Sequence, residues 1–226
     1  MNDDAANLYV RPTPTIEADH PAIVEFSRQH GTGDNPIAKA VALYYAVRDG
    51  IRYDPYTCDL SVARLKASAT LASGRGWCVS KAILLAACCR CLNIPARLGF
   101  ADVRNHLSTA RLRELMQTDV FHWHGYASLL LGGQWLKATP AFNIELCEKF
   151  RLKPLEFDGT ADSIYHPFDM HGNRHMEYVR FRDEYADTPI AEIAATFARV
   201  YPYLESERVQ SNFDKEVENE VKRAQH

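Results

Sequence analysis

Cys78 is the residue best mounted for covalent chemistry. It follows Gly74-Arg75-Gly76-Trp77 and precedes Val79-Ser80-Lys81, which runs on into Ala82-Ile83-Leu84-Leu85-Ala86-Ala87-Cys88-Cys89. From Ala82 to Cys89 every side chain is apolar, so a helix here has no polar face and belongs inside the protein. Asn93 and Pro95 stop it, an αL-tolerant residue followed by one that cannot continue a helix. Cys78 then sits at the positive end of a buried helix dipole, a position that favours thiolate over thiol. Its backbone N–H, free at the helix start, is placed to hold an oxyanion. Cys88, Cys89 and Cys91 read as packing, since free cysteine is among the most buried residue types.

A thiol nucleophile needs a base that takes its proton and later returns it, and imidazole has a suitable pKa. Of the nine histidines, His122 and His124 begin a strand-like run. With a period of two they point to one face. His124 is the candidate base, and His122 reads as a surface histidine at the strand start. A helix-borne cysteine facing a strand-borne histidine is the arrangement of papain-like thiol enzymes.

The elements that position these residues follow from the pattern. Asp19 with Pro21, and Asn35 with Pro36, signal two helix starts, and the second helix ends near Asp49-Gly50. Ile51-Arg52-Tyr53 reads as a short extended segment, and one helical turn is expected around Ser61 to Leu65. Ala96 to Val103 has strand character, and Ser108 or Thr109 opens a short helix to about Met116. Trp123 to Leu131 and Gln134 to Ala138 are two strands joined by Gly132-Gly133, a hairpin signal. Asn143 is placed to cap a helix through Phe150. Residues 151 to 187 read as irregular, Thr188-Pro189 starts a helix to about Tyr203, and a last exposed helix is expected from Glu205 to Ala224. One domain over residues 1–226 is expected, with a core at about 36–150 and a C-terminal extension at about 151–226. A helix packed on an antiparallel sheet makes this α+β.

Composition narrows the function classes. A net charge of -3 and a pI near 6.3 argue against a nucleic-acid partner, which leaves a basic footprint. No apolar run has the length of a membrane span. Met1-Asn2-Asp3-Asp4 lacks the basic start and apolar core of a signal peptide, so a cytoplasmic protein with reduced thiols is expected. His166, His171 and His175, with Asp158, Asp162 and Asp169, fit no standard ligand spacing. Neither metal nor cofactor is expected. Arg97 and Arg104 flank the strand after the helix and read as solvated or paired at the surface.

The run Gly-Arg-Gly-Trp-Cys78-Val-Ser-Lys-Ala-Ile-Leu-Leu-Ala, followed by Asn93-Ile-Pro-Ala-Arg97, resembles the transglutaminase-like superfamily. His124-Gly125-Tyr126-Ala127-Ser128 stands where that family has its histidine strand. Trp135-Leu136-Lys137-Ala138-Thr139-Pro140-Ala141 stands where it has its aspartate strand. The match covers about residues 70 to 145, with an echo in Ile51-Arg52-Tyr53-Asp54. The resemblance implies a transglutaminase-like (cysteine-proteinase-like) core with extra N- and C-terminal helices. It also implies a Cys-His-Asp triad with transamidase, peptidase or amidase activity, and a second oxyanion donor from an upstream side chain, for which Tyr53 is the candidate.

One position departs from the family. Thr139 stands in place of the aspartate, and a neutral hydroxyl can orient an imidazole but hardly stabilises imidazolium. Thr139 itself can accept the imidazole N–H. Asn143 can serve as asparagine does in papain-like proteases, or Asp158 or Asp162 can fold back. The expected activity is acyl transfer through a Cys78 thioester, hydrolysing an amide or peptide bond in a peptide or small amide substrate. Transamidation, or a binding module that has kept the fold and lost the chemistry, are the alternatives.

Overall fold

The computed structural model describes residues 7–105, 108–165, 176–201 and 212–223. His20, rather than Asp19, caps α1 (Pro21–His30) by accepting the Ala22 N–H. Asn35 caps α2 (Pro36–Gly50) by accepting the Ala38 N–H at 2.9 Å. Next come β1 (Arg52–Tyr53), a 3-10 turn at Pro55–Thr57, and the short helices α3 (Val62–Leu65) and α4 (Ala67–Ser73). Gly74 ends α4 in the left-handed region, and β2 (Arg75–Gly76) runs parallel to β1, pairing Tyr53 with Gly76. That pairing delivers the chain to α5 (Cys78–Cys91), which the apolar run from Ala82 predicts.

The second half supplies the sheet. After α5 come β3 (Ala96–Asn105), α6 (Ala110–Met116), β4 (Val120–Leu131), β5 (Gln134–Ala138) and α7 (Ile144–Phe150). β6 (Met176–Tyr185), α8 (Ile190–Val200) and α9 (Phe213–Arg223) complete the described chain. The four long strands form one antiparallel sheet in the order β5-β4-β3-β6. Gly132 and Gly133, at φ 56° and 83°, make the tight β4–β5 turn, because two successive positive φ values match the twist of the flanking strands. The antiparallel sheet against a buried helix is the α+β arrangement expected. β6 was not expected, since 151 to 187 read as irregular; it pairs with β3 at the sheet edge.

Thirteen of the fourteen α5 residues are buried, and the main core surrounds this helix. Burial extends to two cations, Lys81 and Arg90. Lys81 Nζ donates to three carbonyl oxygens, of Arg48 at 2.9 Å, Ile51 at 2.5 Å and Ala141 at 2.8 Å. One ammonium thus ties the end of α2, the approach to β1 and the chain after β5 to the first turn of α5. Burial pulls its pKa down to about 7, while three carbonyl acceptors favour the charged form, which alone has three protons to give. Helix and strand meet without a side chain between them at Gly125 of β4. A Cβ there would lie 2.8 Å from Val79 Cα, so only glycine admits the start of α5 this close to the strand.

Candidate active site

Trp77 occupies the N-cap of α5 without a side-chain cap bond, which leaves the first N–H groups of the helix unclaimed by a cap. The N–H groups of Gly125, Val79 and Cys78 itself lie close to the Cys78 sulfur, and all three favour thiolate. Burial outweighs them and pushes the Cys78 thiol up to about 11. The lowered thiol pKa expected from the helix dipole is therefore absent in the resting site, because the thiol of a residue only 7 % exposed loses more by desolvation than the helix start returns.

The Gly125 contact fixes Cys78 against β4 one residue from His124. His124 is itself buried, with its ring 5.6 Å from that of Tyr165 and 6.4 Å from that of Tyr178. Burial alone pulls its pKa down to about 4. Its Nε2 has no hydrogen-bond partner among the described residues. The resting site thus holds a neutral thiol and a neutral imidazole.

Thr139 lies directly after β5 and is 1 % exposed. Its backbone is fully tied: the N–H donates to Ser163 O at 3.1 Å and the carbonyl accepts the Tyr44 hydroxyl at 3.2 Å. Among the described residues its Oγ1 has no bond of acceptable geometry; the Tyr178 hydroxyl lies near it without completing one. The other three candidates are engaged elsewhere. Asn143 Oδ1 accepts the Tyr53 N–H at 3.1 Å, and its amide faces Glu145. Asp158 accepts from Thr160, and Asp162 from the Lys137 N–H and Nζ. Tyr53 is partly buried, its ring 4.7 Å from Phe142 and 5.8 Å from Phe213. Burial and then the nearby Cys78 push its phenol well above the ordinary value.

The sequence profile of the transglutaminase-like superfamily matches residues 25–140. The chain belongs to the transglutaminase-like superfamily. A comparison with curated proteins gave no match. Among solved structures, the chain is similar to one from Cytophaga hutchinsonii named "Putative Cysteine Protease", at 20% identity and a TM-score of 0.48. That match covers 62% of this chain and 43% of the other, so it spans less than half the length of that protein. The segment matched to the superfamily contains Cys78, His124 and Thr139 but stops before β6.

Beyond that segment, β6 braces the histidine strand of this transglutaminase-like chain. The β3–β4 register slips by one residue between the pairs Ala101–His124 and Val103–Phe121, so His122 and Trp123 together oppose Asp102. Trp123 takes φ 62° at this bulge, a left-handed conformation that costs a non-glycine residue about 1–3 kcal/mol. Asp102 holds it there: it accepts the Trp123 N–H at 3.2 Å and both Nε and Nη2 of Arg182, at 2.7 and 2.9 Å. The Arg182 guanidinium also lies over the Trp123 ring, 4.3 Å from its centre. Burial raises the Asp102 pKa, but the bonds from Arg182 and the Trp123 N–H outweigh it and leave the carboxyl below its ordinary value.

His122, Cys78, His124 and Tyr53 all line one cavity of about 970 Å³, walled largely by Trp77, Leu112, Met116, Phe142 and Phe197. The expectation that His122 and His124 share a face therefore holds despite the bulge. His122 is not a solvated surface residue, since its Nδ1 lies 3.2 Å from Asp102 Oδ2. Neither Asp102 nor Arg182 was singled out from sequence, although a carboxylate inside the apolar run of β3 was a visible signal. His166, Asp169, His171 and His175 lie outside the described residues. Among the described residues no group of three or more His, Cys, Asp or Glu side chains is placed to hold a metal ion. No described helix is long and apolar enough to cross a membrane. Arg97 is paired as expected, with Glu184 at 3.3 Å and the Trp135 ring at 3.5 Å, and Arg104 pairs with Asp119 at 2.9 Å.

Proposed function

We propose that this protein is a thiol acyl-transfer enzyme that hydrolyses an amide or peptide bond through a Cys78 thioester. The observation that carries the reading is the seating of the Cys78 sulfur at the start of a buried helix, close to Gly125 and so one residue from His124, in a cavity large enough for a substrate. In this reading His124 takes the thiol proton as sulfur attacks the carbonyl and gives it to the departing amine. The Cys78 N–H and Tyr53 hold the oxyanion, and Thr139 stands as third member of the triad. Substrate entry changes the surroundings of the two groups, so a pair neutral at rest becomes charged only during reaction.

A binding module that retains the fold is the second reading, favoured by Thr139 in the place of aspartate. Incubation with p-nitrophenyl acetate, followed by intact mass and peptide mapping, separates the two. An acetyl group on Cys78 that is later released supports the enzyme, and Cys78→Ala should then carry none there. Absence of an acetyl adduct on Cys78, or labelling no greater than at Cys58 in the same cavity, overturns it.

A further inference from the structure

Two imidazoles line the cavity, two residues apart on β4, and they are provided for differently. Among the described residues no carboxylate lies near the ring of His124, beside the sulfur, and burial is what acts on it. His122 has a carboxylate at 3.2 Å and remains 24 % exposed. The partner carboxylate is itself fixed by two bonds from Arg182 and one from the Trp123 N–H. The His122 backbone is fixed too, its N–H donating at 2.6 Å to the Tyr201 hydroxyl, which in turn donates to Val120 O at 3.0 Å. A strained bulge, a buried carboxylate, an arginine from β6 and a tyrosine after α8 all converge on one histidine. A merely solvated surface histidine needs none of these.

Resting on the thiol-enzyme reading, we propose that His122, held by Asp102, is the general base of the second half-reaction, the hydrolysis of the Cys78 thioester. Water enters from the exposed side of the cavity. His122 takes one proton from it as its oxygen bonds to the acyl carbon, and the negative charge of Asp102 stabilises the imidazolium. The tetrahedral intermediate collapses, the carbon–sulfur bond breaks, and the electron pair leaves on Cys78. His122 returns its proton to that thiolate, and the carboxylic acid product ionises into solvent, so thiol and imidazole are restored. The Nδ1 contact with Asp102 is at ion-pair distance without a directed hydrogen bond in the resting site, a looseness common before substrate is bound. The division of labour also accounts for Thr139: among the described residues a carboxylate faces the outer histidine and none faces the inner one.

The test uses acetyl-enzyme formed from p-nitrophenyl acetate and freed of excess ester. In His122→Ala, acetylation of Cys78 should stay within a few-fold of wild type, while loss of the acetyl group slows about 100-fold. Added imidazole should restore that loss more than it accelerates wild type. In Asp102→Asn, acetyl loss should slow about tenfold while acetylation of Cys78 stays within a few-fold of wild type. A purely structural role slows both steps together. Should His122→Ala not fold, His122→Gln takes its place. Folded variants that lose acetyl at the wild-type rate, or that slow acetylation and acetyl loss alike, overturn this inference alone. Wild type that never acquires an acetyl group on Cys78 overturns the underlying function as well.

Discussion

Lys81 and His124 are both basic, both buried and both within reach of the start of α5, yet their surroundings are opposite. Lys81 spends all three of its protons on carbonyls, whereas His124 Nε2 has no partner among the described residues. The first is a joint: it fixes α2, β1 and the chain after β5 on the helix that carries Cys78. The second is held by packing among aromatic rings, and its ring chemistry is left uncommitted. Satisfied buried polar groups rigidify a fold, and an unsatisfied one is a standing cost that calls for an explanation. A reactive site is such an explanation.

The comparison predicts that the joint is worth most to stability. Lys81→Met should cost about 3 kcal/mol or more, because it leaves three buried carbonyls without their donor. Urea unfolding at neutral pH measures this. A loss below about 1 kcal/mol would show that water or rearrangement replaces the ammonium and that the joint is not one.

His124 should reveal itself through acid. Its folded pKa is about 4 against an ordinary 6.5, so the unfolded chain takes up this proton first as pH falls. The stability it confers is whole above about pH 6.5 and is lost progressively down to about pH 4, amounting to about 3 kcal/mol. His124→Leu should remove that part of the acid sensitivity while abolishing acylation of Cys78. Unfolding free energies at several pH values check it; parallel pH profiles for wild type and variant would contradict the buried, neutral assignment.

Much of this arrangement is legible in the chain. The all-apolar run after Cys78 dictates a buried helix, and the paired glycines at 132 and 133 dictate the hairpin that carries His124. Other features are not local. β6 escapes a pattern reading because it is an edge strand whose Val179 and Phe181 face outward and whose remaining residues are largely charged. The bulge is illegible for a different reason. Nothing about a tryptophan suggests φ 62°; Asp102, Arg182 and the strand register impose it. The pKa of Cys78 inverts the expectation because the helix dipole can be read from sequence, whereas desolvation depends on how every element closes over the sulfur.

The next test asks whether His124 can be given what Lys81 has. Thr139→Asp would set a carboxylate at the family position, and an opposite charge that close favours imidazolium. Cys78 alkylation by iodoacetamide at neutral pH should rise about tenfold, since a protonated neighbour stabilises the thiolate. Some stability is lost at the same time, because a carboxylate at a 1 % exposed position is costly until its partner is charged. An unchanged alkylation rate would mean that position 139 does not face the histidine.

The smallest effect is expected from Thr139→Val, and it is the sharpest on the question of what replaced the aspartate. Thr139 Oγ1 makes no hydrogen bond among the described residues, while the residue's own N–H and carbonyl are tied to Ser163 and Tyr44. Removing the hydroxyl therefore strips no hydrogen bond from the folded state. A methyl in its place relieves a buried hydroxyl of an unmet hydrogen bond, so the variant should be as stable as wild type or up to about 1 kcal/mol more stable. Activity separates two meanings of that tolerance. If the hydroxyl engages His124 only as the imidazolium forms, acetylation of Cys78 slows several-fold with no loss of stability, because the lost interaction belongs to the transition state. If acetylation is also unchanged, Thr139 is a packing residue, the inner histidine works without a third member, and the carboxylate that matters is Asp102.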